Sequence, residues 1–155
     1  MQTSVSESAP AASSSKRLML VIALVAVLGA VVSAVSLYHH FGSSKTSFCD
    51  LGQAFNCDLV NRSQYSTMAG IPVALIGIVG YSLIVALATI YREKAETPFM
   101  LLAASLIGLG FALYLTYIEA RVLHAWCILC LSSLTAILII TLLSATASAR
   151  NVKRI

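Results

Sequence analysis

The stretch "AWCILCLSSLTAILIITLL", residues 125–143, decides the fold. It carries no charged side chain, is apolar almost throughout, and opens on Cys-x-x-Cys. The hydrocarbon core of a bilayer is about 30 Å thick and is crossed by roughly 20 apolar residues in a helix. Residues 122–149 contain such a stretch without a charge, and so do residues 18–44, 63–91 and 97–118. Four membrane helices are therefore predicted, over about 18–38, 70–91, 98–118 and 127–147. The apolar runs are continuous rather than alternating, so strands are not expected. Only 10% of the 155 residues are charged and 59% are apolar, against about a quarter charged in a soluble domain. The expected fold is all-α, a membrane four-helix bundle with a long extracytoplasmic loop between its first and second helices.

The net charge of +4 is distributed as orientation requires, and nucleic acid is not an expected partner. Lys16 and Arg17 precede the first run, Arg92 and Lys94 separate the second from the third, and Arg150, Lys153 and Arg154 follow the fourth. Only Lys45, Arg62 and Arg121 fall in the alternate segments. The positive-inside rule makes the richer side cytoplasmic, with both ends of the chain there. A cleaved signal peptide ending near "VVSAVS" is the competing reading. The first run, of about 20 residues, exceeds the usual apolar region of about 7–15, so an uncleaved helix is expected. The Ser/Ala-rich residues 1–15 are expected to be disordered, residues 16–149 to form the transmembrane domain, and residues 150–155 a basic cytoplasmic tail.

This topology gathers all four cysteines at one non-cytoplasmic face, where disulfides persist. Cys49 and Cys57 lie in the long loop "CDLGQAFNCDLV", residues 49–60, and Cys127 and Cys130 open the last helix. Residues i and i+3 of a helix are about 5–6 Å apart at Cβ, compatible with a disulfide. A bridge closing two intervening residues is a weak staple, while a helix N-terminus favours thiolate. The Cys127/Cys130 couple is thus better suited to exchange than to support. Two small apolar residues, or ligands of a metal with His124, are the plainer readings. His124 and Cys130 would point about 120° apart on a helix, at about 100° per residue, and no metal is expected. Haem attachment needs a His where Leu131 stands.

Cys49 and Cys57 read equally as a structural bridge or as an exchanging couple. A loop swinging over the start of the last helix lets a loop thiolate attack the second couple's disulfide, with Gly52 supplying backbone freedom. Electrons leaving such a relay without haem or flavin need a lipid-soluble acceptor. A quinone matches the two-electron step, with Glu119 and His124 as candidate proton donors.

"FCDLGQAFNCDLVNRSQYSTMAGIPVALIGIVGY", residues 48–81, followed by Cys-x-x-Cys opening the last run, resembles the vitamin K epoxide reductase family, and its bacterial membrane members in particular. The resemblance spans roughly residues 40–147. It implies a redox centre of Cys127 and Cys130, with Cys130 beside the quinone and Cys127 exchanging with the loop. Cys57 would then hand electrons to Cys127, Cys49 would receive them from a partner thiol, and Ser63 would lie near the active site. Trp126 is a candidate for the quinone pocket or for the interfacial aromatic belt, where Tyr114 and Tyr117 are expected. Val73 and Leu134 depart from the family pattern, so quinone reduction rather than epoxide reduction is implied.

The resulting expectation is an enzyme of the bacterial inner membrane that supports disulfide formation. It would pass electrons from a separate thioredoxin-like extracytoplasmic protein to a quinone of ubiquinone, menaquinone or phylloquinone type, with membrane lipid as its surroundings. A non-catalytic scaffold with structural disulfides and a metal-binding membrane protein are the alternatives.

Overall fold

The computed structural model describes residues 9–42, 55–92 and 94–153. Among them are five α-helices: α1 (Ala9–Phe41), α2 (Cys57–Asn61), α3 (Val73–Thr89), α4 (Thr97–Ile118) and α5 (Ile128–Val152). Backbone polar groups have no water to bond within a bilayer, and a helix satisfies them within the segment. That is why the uncharged apolar runs are helical. α1 begins at Ala9, so residues 9–15, expected in a disordered tail, belong to the helix. Cys49 lies outside the described residues.

α1 packs against α3 and α5, α4 packs along α5, and the α3–α4 contact is the lightest of these four. Three spans are long and apolar enough to cross a membrane: Ser15–Phe41, Thr97–Leu123 and Ile128–Val152. α3 is apolar but has 17 residues, shorter than the predicted 70–91. The residues ahead of it explain the difference. Thr67–Met68 (β1) and Ile71–Pro72 (β2) pair antiparallel around Ala69-Gly70, both at positive φ. Pro72 then occupies the N-cap position. This small hairpin also corrects the expectation that strands would be absent.

The core is formed by the inner faces of the long helices, with Ile22, Leu101 and Ile140 fully buried beside Met19, Ala26, Tyr81 and Ile84. Small residues let α1 and α3 approach closely. A Cβ on Gly29 would lie 2.4 Å from the Tyr81 ring, and one on Gly77 would lie 2.7 Å from Ser33 Oγ. Gly80 and Gly110 face open space. Tyr81 cannot easily yield to a larger residue at 29, because its hydroxyl donates to the Ser133 carbonyl at 2.8 Å.

One end of the helices is tied by Ser148 Oγ donating to Pro98 O at 2.9 Å and Asn151 Nδ2 to Ala95 O at 2.7 Å. Thr97 is the first residue of α4, after Glu96 at the N-cap position. Its hydroxyl donates to Tyr91 O, closing the α3–α4 turn.

Overpacking a tight helix contact costs about 1–3 kcal/mol. Gly29→Ala is therefore expected to lower the thermal midpoint of the detergent-solubilised protein. Tyr81→Phe, which keeps the ring and loses the hydroxyl bond, should restore part of the loss in the double variant, because the ring is then free to shift.

Candidate redox site at the loop end of the helices

The other end of the helices carries the chemistry, and the loop reaches it through backbone bonds. Phe55 forms a parallel bridge with Trp126, and Asn56 N–H donates to Trp126 O at 3.1 Å. The Asn56 side chain turns back to cap α2, accepting from Leu59 N–H at 2.8 Å. Satisfying a first-turn donor in this way is what starts so short a helix. Three contacts with the end of α1 hold it down. Ser36 Oγ donates to Asn61 Oδ1 at 2.8 Å, His40 Nδ1 meets Asn61 O, and buried His39 lies 3.8 Å from Asp58. The guanidinium of Arg62, the residue following α2, reaches Gly42 O.

These bonds set Cys57 into the same dry cluster as Cys127. Both are fully buried, among Val60, Ala125 and Leu129, with Cys130 packed at the edge. Cys57 is disulfide-bonded, whereas Cys127 and Cys130 are free thiols. Cys127 is the N-cap residue of α5. As a neutral thiol it makes no capping bond. As a thiolate it is favoured first by the Cys130 thiol and then by the N–H groups of Cys130 and Leu129, which hold Cys127 below the usual thiol range despite burial and the nearby Glu119 charge.

Cys130 also lines a cavity of about 480 Å³. Its walls are mostly apolar side chains of α1, α3, α4 and α5, with Asn61, Ser63, Tyr81 and Glu119 among the polar groups. Ligand cavities of about 300–1,000 Å³ with a few placed polar groups are the usual design for small molecules. Two polar atoms here are buried without a hydrogen-bond partner, Asn61 Nδ2 and Glu119 Oε1. Ser63 Oγ is used locally, donating to Val60 O at 2.8 Å.

Glu119 opens a single π-turn, Glu119–Leu123, between α4 and α5. Its Oε2 accepts from Cys127 N–H at 3.2 Å. His124 follows in the left-handed region (φ 49°) and is exposed, outside the cavity wall. Among the described residues, no three His, Cys, Asp or Glu side chains gather as metal ligands.

The structure thus puts Cys57 and Cys127 in one cluster with Cys130 at its edge, while Ser63 shares the cavity wall with Cys130. Trp126 does not line the cavity; its backbone is the anchor for the loop. Asn61 was not legible as a site residue in the sequence. Its only signal is its place four residues after Cys57, on the next turn of a helix that the sequence does not announce. His40 also lines the cavity.

The Cys127 environment has a measurable consequence. Cys130→Ala removes the main donor to the Cys127 thiolate, so the Cys127 pKa should rise. Glu119→Gln removes a like charge, so it should fall further. Thiolate absorbance followed against pH, with the loop disulfide intact, reads both directions. The family model for the vitamin K epoxide reductase family matches residues 20–145, most of the chain. With its apolar spans and its buried cysteine centre, the chain belongs to the vitamin K epoxide reductase family and is an integral membrane oxidoreductase.

Proposed function

We propose that the protein is a thiol–quinone oxidoreductase. It takes two electrons from a separate thioredoxin-like protein at Cys49 and Cys57, passes them to Cys127 and Cys130, and delivers them to a quinone in the cavity beside Cys130. The observation that carries this reading is the burial of Cys57 and Cys127 in one cluster, with Cys130 opening on the cavity. Thiol–disulfide exchange proceeds by direct attack of one sulfur on another, so the two couples must meet.

The cavity suits such a substrate. Asn61 Nδ2 offers a donor for a carbonyl oxygen, and the apolar walls suit the ring. Leu83 and Ile107 line the cavity yet are 53% and 76% exposed. A prenyl tail has a route to lipid there, where α3 and α4 touch least. Ubiquinone, menaquinone and phylloquinone types share this chemistry. A purely structural scaffold has no use for a cavity beside a free thiol and two unpartnered polar atoms.

In the membrane, α3 is read as the fourth span. At about 1.5 Å per residue its 17 residues reach about 26 Å, near the lower limit for crossing. Lys16, Arg17, Arg92, Lys94, Arg150 and Lys153 then share the cytoplasmic side of a bacterial inner membrane. The cysteines face the periplasm, where the partner and the need for disulfides are found.

Cys130→Ala and Cys127→Ala are expected to reduce quinone reduction by at least about 100-fold, on the scale of losing a covalent catalytic group. Hydroquinone formation from a short-tailed ubiquinone with reduced thioredoxin-like protein is the measurement, and full activity in both variants would refute the relay. Cys57→Ser should stop turnover with the protein partner yet leave turnover with a small membrane-permeable dithiol. Asn61→Leu removes the hydrogen bond offered to the quinone, worth about 0.5–1.5 kcal/mol, together with the Ser36 Oγ bond that helps hold α2. It should raise the KM for quinone about threefold to tenfold with little change in kcat.

A further inference from the structure

The reduction of a quinone by two thiols must move two protons as well as two electrons, and Cys127, one of those thiols, is fully buried. We infer that Glu119 is the proton carrier between the cysteine couple and the substrate, a catalytic role that rests on the thiol–quinone reading above. Glu119 is 2% exposed and is the one carboxyl lining the cavity among the described residues. Its Oε2 is fixed by Cys127 N–H. Its Oε1 is buried without a hydrogen-bond partner, and the Cys130 thiol lines the same cavity. A carboxylate held by one oxygen, with the other bare beside a thiol and a cavity, is arranged for transfer rather than support. Burying a bare carboxylate oxygen is costly, and nothing else in the fold uses it.

The step balances as follows. The Cys130 S–H proton passes to Glu119, and the resulting acid gives it to the substrate oxygen on which negative charge develops. The Cys127 proton travels by the same carboxyl to the second oxygen. The Cys127–Cys130 disulfide forms as both S–H bonds are lost, two electrons pass to the quinone, hydroquinone leaves, and Glu119 ends as a carboxylate. Other titratable groups face the same space from each neighbouring element. Cys130 belongs to the start of α5, His40 to α1, Tyr65 to the turn after α2, and Tyr81 to α3, while Cys127 lies off the cavity wall in the cluster with Cys57. His40 Nδ1 is engaged with Asn61 O and Tyr81 with Ser133, and neither is tied to a cysteine. His124, the other candidate read from the sequence, is exposed and off the cavity.

The test is a single turnover. Full-length protein in lipid nanodiscs is reduced with a phosphine and mixed with a short-tailed ubiquinone, and hydroquinone is followed against pH. Glu119→Gln keeps an acceptor for Cys127 N–H and removes the proton. It is expected to slow the first turnover by about 100-fold or more, within the range of general acid–base catalysis, with quinone half-saturation within about threefold of wild type. Glu119→Asp should recover part of the rate, and added formate should partly rescue Glu119→Ala. A Gln variant as fast as wild type at every pH overturns the relay while leaving the oxidoreductase reading intact. Wild-type protein unable to reduce the quinone sinks both. Should the Gln variant not fold, Asp and Ala plus formate decide. Equal losses in both, with no rescue, would assign Glu119 to shape alone and overturn the proposal.

Discussion

The site depends on a short run of backbone pairing. Phe55 and Asn56 lie along Trp126, and through that bridge the loop arrives at the start of α5 in one register. Cys57 follows two residues after Phe55 and Cys127 one residue after Trp126. The pairing therefore brings both cysteines into the one apolar cluster of Val60, Ala125 and Leu129. Sequence distance is irrelevant to this geometry: the two cysteines are 70 positions apart (127 − 57). The caps and the contacts to α1 serve the same purpose. Asn56 starts α2, and Ser36, His39 and His40 hold it against the bundle.

Dryness has two effects. It favours sulfur exchange by keeping competing nucleophiles out, and it makes the ionised forms of the thiols expensive unless donors are supplied. Cys127 obtains its donors by standing at the N-cap of α5, where unpaired backbone N–H groups converge, and by having Cys130 one turn on. Cys130 meets the cavity instead. One Cys-x-x-Cys thereby acquires two inequivalent sulfurs from its position on the helix, the first turned to the loop and the second to the space beside it. The same asymmetry is what the proposed relay needs.

Much of this was legible in the sequence. Long charge-free runs are read directly because a bilayer tolerates few exceptions, and the cysteine couples stood out against so apolar a background. Glu119 was visible for the same reason, as a lone acid between two uncharged runs. What escaped depended on tertiary neighbours. Ala9 to Ser15 extend α1, although their composition reads as an unstructured tail. The β1–β2 hairpin uses residues that hydropathy assigns to a span, since Gly70 and Pro72 act on the backbone and not on apolarity. Gly29 matters because Tyr81 happens to face it. Asn61 reaches the cavity because α2 exists, and α2 exists because Asn56 caps it. A five-residue helix leaves too little periodicity to be seen in advance.

The position of the centre at the end of the helices, rather than midway along them, follows from competing demands. A hydrophobic substrate must come from lipid, and the light α3–α4 contact with its exposed Leu83 and Ile107 supplies such a side. Protons, and the protein partner proposed above, belong to water, and the loop end is where the proposal puts them. A centre at mid-bilayer would need a polar channel through apolar helices, for which the runs contain no chain of ionisable groups. A centre outside the bundle would lose the dry cluster that aligns the sulfurs. At the helix end both sides are within a few residues of each other, and Glu119 stands where they meet: one oxygen is held by the cysteine backbone and the other turned toward neither water nor a partner. One of its oxygens thus serves the fold, and the other is the atom that the proposed reaction would use.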